Sequence, residues 1–167
     1  PVKMRELWLP ITAYEAARAH AKTFPSRADE YGSYLRGVLE LGVAMNDADY
    51  LEALRRKRDY VVKFEAELNK VDAIICPAGG LVFEVDKQAQ YGDKESMKSV
   101  IKNFQGQFTI PADLLGAPAL VVPCGFSDEK RPYAFQLVGS RLSDAKLCAL
   151  GHKYECQFDW RSIHPSF

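Results

Sequence analysis

The stretch of sequence that decides the fold runs from residue 108 to residue 126 and reads FTIPADLLGAPALVVPCGF. Its centre is the apolar run at residues 119–122, which has Pro118 before it and Pro123 after it. An unbroken apolar run of this length, bounded by chain breakers, predicts a short strand that is buried on both faces. Cys124 comes directly after Pro123, so we expect it at the end of that strand.

Two further strands are predicted on either side of this stretch. Residues 73–76 (AIIC) form another short apolar run, which ends at Pro77 and is expected to be buried on both faces. Residues 133–138 (YAFQLV) alternate in character. Gln136 then points to one face, and the apolar side chains at 133, 135 and 137 point to the other.

The first 71 residues predict helices. A capping box at Thr12 and Glu15 indicates the start of a first helix, which Pro25 stops. Ser26 begins a second helix. Asn46 and Asp47 open the third and longest one, whose apolar stripe consists of Leu51, Leu54, Val61, Phe64, Leu68 and Val71.

Two shorter helices are predicted among the strands. One carries apolar residues at 97, 100, 101 and 104, and a final helix begins at Ser143 and Asp144. The order of elements predicts an α/β fold in which helices pack on part of a mixed sheet. We expect one segment over residues 1–167, helical over about 1–71 and α/β over 72–167. Three strands are few, and their edges would stay unpaired.

Composition excludes several classes of function. The 22 Lys and Arg balance 22 Asp and Glu, so no basic field is available for nucleic acid. No apolar run reaches the ~20 residues of a membrane helix, and the start of the chain has no signal core. We therefore expect a cytoplasmic location, with neither nucleic acid nor membrane as a partner. The chain begins with Pro1 and not Met, which suggests a processed or partial polypeptide.

The cysteines and histidines do not form a recognisable metal or disulfide pattern. Four cysteines without any CxxC spacing are typical of free, mostly buried thiols in a reducing compartment. His152 and Cys156 lie four residues apart and could share a metal, but zinc needs three or four ligands and no second pair occurs. We therefore expect no metal and no cofactor.

Single residues offer little chemistry. No G-x-S-x-G turn or phosphate loop occurs, and Cys124 has no flanking histidine, which favours inert packing over a nucleophile. Arg58 interrupts the apolar stripe of the third helix. It is either a buried cation that binds a carboxylate, or a residue whose aliphatic stem covers the core while its guanidinium stays in solvent. Gln136 needs hydrogen bonds, to a neighbouring loop or to a substrate.

The stretch from 108 to 126 resembles a region near the end of amidase signature proteins. The same is true of residues 132–139 (PYAFQLVG), which a helix follows, and of the DAIICP run at 72–77 with the helix before it. The resemblance covers about residues 50–165 and depends on the spacing of Pro, Gly and Gln. The residues that carry its later part are Glu155, Trp160 and Pro165.

The resemblance implies a hydrolase that uses a serine nucleophile, a second serine and a lysine base, all located in the first half of such proteins. The sequence contains no Ser-Ser pair, so no catalytic residue is assigned. The loop after the 72–77 strand lies near the substrate in this family. This makes Gly79, Gly80, Leu81 and Phe83 candidate substrate-binding residues of a pocket wall, although an ordinary surface loop is an equal alternative.

The resemblance leads to the hypothesis that the chain is the C-terminal part of an amidase that cleaves a small amide through an acyl-enzyme. The expected partners are a small-molecule amide, the N-terminal part of the same protein and, as an option, a second copy. One alternative is a non-catalytic binding or scaffold module. Another is a piece of a glutamyl-tRNA(Gln) amidotransferase A subunit. Gly106 disfavours the amidotransferase alternative, because those subunits usually have Asp at this position. Ala78 and Asp113 also depart from the family pattern, in which Thr and Asn are frequent at these two positions.

Overall fold

The computed structural model describes residues 2–79, 106 and 108–163, without the side chains of Val2, Lys3, Arg5 and Arg161. Among these residues, 2–59 belong to one compact unit, and 60–79, 106 and 108–163 belong to a second. The helix predicted around residues 97–104 lies outside the described part of the chain. Within that part, every helix is too short or too polar to cross a membrane.

The first unit contains the helices α1 (Val2–Ala19) and α2 (Ser33–Ala44) and most of α3 (Asp47–Leu68), with a 3-10 turn at Ala28–Glu30. The prediction that the first helix starts at Thr12 is wrong. Leu7, Ile11 and Tyr14 are all buried, so the apolar period runs on toward the N-terminus and packing overrides the local cap signal.

The start predicted for the second helix is also wrong. Ser26 precedes only the 3-10 turn, and α2 begins seven residues later at Ser33, after Gly32. The start predicted for the third helix is confirmed. Asn46 Oδ1 accepts the Asp49 amide at 2.8 Å, which caps the first turn of the helix, and Asn46 Nδ2 donates to the Asp49 carboxylate at 2.8 Å.

The apolar stripe predicted on α3 is only partly buried. Leu68 is 3% exposed, whereas Leu51 is 63% exposed and Val71 lies beyond the end of the helix. Ala53, which was not in the predicted stripe, is buried instead. The spacing thus predicted the helix correctly but not which of its residues are covered.

An aromatic and charged cluster connects α1 to the first turn of α3. Tyr14 stacks on Tyr50 with ring centroids 3.9 Å apart, and its hydroxyl donates to Asp47 at 2.6 Å. The Tyr50 hydroxyl donates to Glu15 at 2.8 Å. Donation to Asp47 raises the pKa of Tyr14 above its ordinary value, and donation to Glu15 raises the pKa of Tyr50 in the same way.

These raised pKa values predict a loss of stability in alkali. Each phenol holds its proton more tightly in the folded chain, so the stabilisation is complete below an unfolded pKa of about 10 and is lost as the pH rises through the folded pKa. Denaturant unfolding followed by circular dichroism at about pH 9 and pH 11 measures this effect. The Tyr14→Phe, Tyr50→Phe double variant should lose less stability over that interval than the parent. An equal loss in both proteins would contradict the assignment.

The second unit contains a small sheet with helices before and after its last two strands. Its elements are β1 (Ile74–Pro77), α4 (Ile110–Leu115), β2 (Ala119–Phe126), β3 (Pro132–Val138) and α5 (Asp144–Glu155), followed by a 3-10 turn at Trp160–Ser162. The strand order is β1-β3-β2, and both pairings are antiparallel. The prediction was an α/β fold with helices packed on part of a mixed sheet. The α/β class is confirmed, and the described part of the sheet is antiparallel throughout.

The prediction that β1 and β2 are buried on both faces is wrong. Exposure alternates along β1, where Ile75 is 68% exposed, and along β2, where Val121 is 57% exposed. Both are edge strands of the described sheet, so one face and one edge of each are less covered than in a central parallel strand. A short apolar run does not distinguish these two situations.

Strand β2 also continues past Pro123, where the sequence predicted its end. Proline is tolerated in an edge strand or at a bulge, because no ladder hydrogen bond is then lost. Both conditions hold here: β2 is an edge strand, and its register with β3 shifts between Pro123 and Gly125. Gly125 supplies the positive φ of 153° at this irregularity.

The core of the second unit lies between α5 and one face of the sheet. Leu147 of α5 is 2% exposed and packs with Val122 of β2 and Leu137 of β3. Ser143 occupies the N-cap position of α5 as predicted, but its side chain makes no capping hydrogen bond, and its buried Oγ has no partner within the described residues. Packing is therefore the main contribution that holds α5 in place.

Candidate functional site

The candidate site lies where β1 ends beside the central strand β3. Cys76 pairs with Gln136 across the β1–β3 ladder. Beyond the last pair, Pro77 and Phe135, the Ala78 amide donates to the Ala134 carbonyl at 3.2 Å. Gly79 follows directly and is exposed. The ladder thus determines where the predicted pocket-wall loop leaves the sheet.

Gln136 is the buried polar residue of this site, with 2% of its surface exposed. Its Nε2 lies 2.5 Å from the Phe108 carbonyl oxygen and 3.2 Å from Cys76 Sγ. The side chain therefore connects the central strand both to the segment before α4 and to the edge strand. Of the two partners considered for Gln136, a neighbouring loop and a substrate, the structure shows the loop.

The structure describes one of the four predicted substrate-binding residues. Gly79 is in open space, with no atom within 4 Å of the position that a Cβ would occupy. Gly80, Leu81 and Phe83 lie outside the described residues. The assignment of this loop to a pocket wall stays a prediction.

The other residues considered for chemistry are not assembled into a reactive group. Arg58 is exposed, which matches a solvated head and not a buried clamp. Cys124 lies within β2, not at its end, and is exposed and not packed. Cys148 and Cys156 are exposed and free as well, so the prediction of mostly buried thiols is wrong. Among the described residues, no group of three or more His, Cys, Asp or Glu could hold a metal ion.

A shallow apolar groove of about 310 Å³ lies beside β1, on the face of the sheet that carries α5. The exposed Ile75 forms part of its wall, and so do Phe135 and Leu137 of the central strand. Among the described strands, only β3 pairs with β1, so β1 is an edge strand of the described sheet. The full set of lining residues is Asp72, Ala73, Ile75, Phe135, Leu137, Leu150 and Tyr154.

Sequence reasoning identified Gln136 but missed both of its partners. The Cys76 contact depends on the register of β1 against β3, and the Phe108 contact joins residues 28 positions apart in the chain. The signal in the sequence was a single amide on an apolar strand, which shows that a partner is needed but does not name it.

Comparison with known proteins places this arrangement in a family. The chain is 34% identical over 146 residues to the A subunit of glutamyl-tRNA(Gln) amidotransferase from Hahella chejuensis, covering 84% of this chain and 29% of the relative. It is 25% identical over 144 residues to the putative amidase AmiD of Mycobacterium tuberculosis, covering 86% and 30%. The chain thus spans about a third of the length of these curated relatives.

The folds agree as well. A solved structure of 6-aminohexanoate cyclic dimer hydrolase, complexed with substrate, matches 98% of this chain and 36% of its own with a TM-score of 0.76 at 19% identity. At that identity the likeness concerns the fold alone. A sequence model of the family described as Amidase matches residues 4–148, which is most of the chain. These matches confirm the resemblance seen in the 108–126 stretch, and the chain belongs to the amidase signature family.

Proposed function

We propose that the chain is the C-terminal part of a hydrolase that cleaves the C–N bond of a small amide. The observation that carries this proposal is the family match over residues 4–148. In this interpretation the acyl-enzyme chemistry belongs to serine and lysine residues outside the 167 residues. The absence of any Ser-Ser pair from the sequence supports that division. The second unit of the chain then supplies a wall of the substrate pocket and part of the sheet behind it.

The outer edge of β1, on which no described strand lies, supports an upstream segment as the partner. An edge strand offers unpaired backbone donors and acceptors, and here it is flanked by the apolar groove and the exposed Ile75. A strand and an apolar side chain from the preceding part of the protein would satisfy both. Gln136 contributes by joining the 108 segment and Cys76 of β1 to the central strand.

A fluorophosphonate probe tests where the nucleophile is. The 167-residue chain is expected to show no labelled serine by mass spectrometry and no release of ammonia from small amides. The control is an amidase of the family that contains both serines, which should be labelled under the same conditions. A labelled serine in this chain would contradict the proposal directly.

Co-expression with an upstream segment tests the partner. The segment is the part of the Hahella relative that precedes the matched region, and it is expected to co-purify with this chain. Ile75→Asp should weaken that association because the carboxylate would be desolvated at the edge strand. Leu142→Asp is the matched control, since Leu142 is 95% exposed and lies outside the sheet. Equal effects of the two substitutions would argue against the β1 edge as the contact.

An amidotransferase A subunit is the second candidate function. It is favoured by the 34% identity to such a protein, compared with 25% to the putative amidase. It is disfavoured by Gly106 and by the balanced charge of the chain. A gel shift with tRNA at low salt separates the two, because the small-amide hypothesis expects no shift.

A further inference from the structure

An aromatic row of five rings connects the apolar groove to the turn that follows α5. The ring contacts begin on β3, pass through the end of α5 and the chain beyond it, and finish on β2. The members of the aromatic row, in order, are Phe135, Tyr154, Phe158, Trp160 and Phe126. Neighbouring ring centroids lie 4.8–5.8 Å apart. Trp160 is one of the residues that carry the family resemblance, and the proposed function gives it no role.

Short-range turns bring the rings of Phe158 and Trp160 back toward the end of α5. The Phe158 amide donates to the Glu155 carbonyl at 3.1 Å, and the Phe158 ring lies 4.8 Å from that of Tyr154. The Ile163 amide donates to the Trp160 carbonyl at 3.2 Å and closes the 3-10 turn. The Trp160 ring then stacks on the Phe158 ring with an interplanar angle of 19°. Both rings are thus placed by local backbone hydrogen bonds.

Tyr154 belongs both to the aromatic row and to the apolar groove. It lines the groove, and its ring meets Phe135, another lining residue, edge to face at 5.0 Å and 88°. Phe158 contacts Tyr154 but is not a lining residue, and Trp160 is not one either. These two residues therefore connect to the groove through the ring of Tyr154.

We propose that Phe158 and Trp160 are positioning residues for the apolar groove. They fix the Tyr154 ring against Phe135, because stacked and edge-to-face ring contacts at these distances are favourable. The groove then keeps the shape that receives an apolar side chain of the upstream segment. The inference rests on the proposed function, which supplies that segment as the occupant.

Trp160 acts in this arrangement through its ring and not through its indole N–H. Trp160 Nε1 is buried and has no hydrogen-bond partner within the described part of the chain. A phenyl ring at this position would keep the stacking on Phe158 and lose no hydrogen bond. Trp160→Phe is therefore the conservative variant that should retain the positioning, whereas Trp160→Leu should lose it.

Methyl NMR of the 167-residue chain tests the positioning without any partner. Ile75 and Leu150 line the groove with Tyr154, so their methyl signals report on the orientation of that ring. Trp160→Leu should shift these signals, and Trp160→Phe should leave them near their parent positions. Ile163→Ala is the matched control, since Ile163 ends the same turn, is 45% exposed and lies outside the aromatic row. It should leave the groove signals unchanged.

The co-expression assay with the upstream segment gives the second readout. Trp160→Leu should lower the amount of segment that co-purifies by about fivefold, and Trp160→Phe should restore it. Phe158→Leu breaks the same contact to Tyr154 and should have a similar effect, and it should still fold because Phe158 is 46% exposed. Circular dichroism establishes that each variant is folded.

The outcomes separate this inference from the proposed function. Groove signals that do not move in Trp160→Leu, or that move equally in Trp160→Phe, would overturn the positioning role. If Ile75→Asp weakens the association but Trp160→Leu and Phe158→Leu do not, the positioning role is wrong while the proposed function stands. If the parent chain does not associate with the upstream segment, both are wrong.

Discussion

Gly42→Ala should be the most damaging single methyl addition in the first unit, lowering its free energy of unfolding by about 2–4 kcal/mol. A Cβ at Gly42 of α2 would lie 1.9 Å from the Ala13 carbonyl oxygen and 2.8 Å from the Ala17 Cβ of α1. The nearest atoms are backbone, which cannot move aside as a long side chain would. The gain in helix propensity, about 1 kcal/mol, is too small to compensate.

Tryptophan fluorescence isolates this effect, because the two tryptophans lie in different units: Trp8 in α1 and Trp160 in the 3-10 turn at the end of the second unit. In a Trp160→Phe background, denaturant unfolding reports on Trp8 alone. Gly32→Ala is the control, since nothing lies within 4 Å of its Cβ position, and its change should stay within about 1 kcal/mol. Similar midpoints for the two variants would contradict the close approach of α1 and α2.

Gln136→Glu should lower the free energy of unfolding of the second unit by about 3–5 kcal/mol at neutral pH, because a carboxylate would be buried against the Phe108 carbonyl oxygen with no compensating charge. Gln136→Leu removes the donor without adding a charge and should cost less, about 1–3 kcal/mol. The order of the two losses separates a polar role of Gln136 from simple packing.

Trp160 fluorescence in a Trp8→Phe background follows the second unit. The loss from Gln136→Glu should shrink as the pH falls, since a protonated carboxyl can again donate to Phe108. Gln157→Glu is the matched control: Gln157 is exposed, and the same substitution there should change stability by less than about 0.5 kcal/mol. If Gln136→Glu matched this control at every pH, the hydrogen bond to Phe108 would not contribute.

Gly42 and Gln136 show how much of a residue's role a local sequence pattern can predict. Gln136 was recognisable from the sequence as a polar residue on an apolar strand, and its need for a partner followed from burial alone. Gly42 had no such signal in the sequence. The need for a residue without a side chain at this position arises from the backbone of another helix, at Ala13, 29 positions earlier in the chain. The open groove beside Ile75 likewise depends on which strands lie at the edges of the sheet.

The sequence by itself determined the family, the α/β class and the start of α3, since each of these depends on residue types at fixed local spacing. Only the tertiary structure decided that β2 runs through Pro123, that α1 begins at Val2, and that Gln136 bonds to the Phe108 carbonyl. The physical reason is that these features depend on side-chain rotamers, edge positions and contacts between elements. Such interactions join residues through space, and the order of residues along the chain does not contain them.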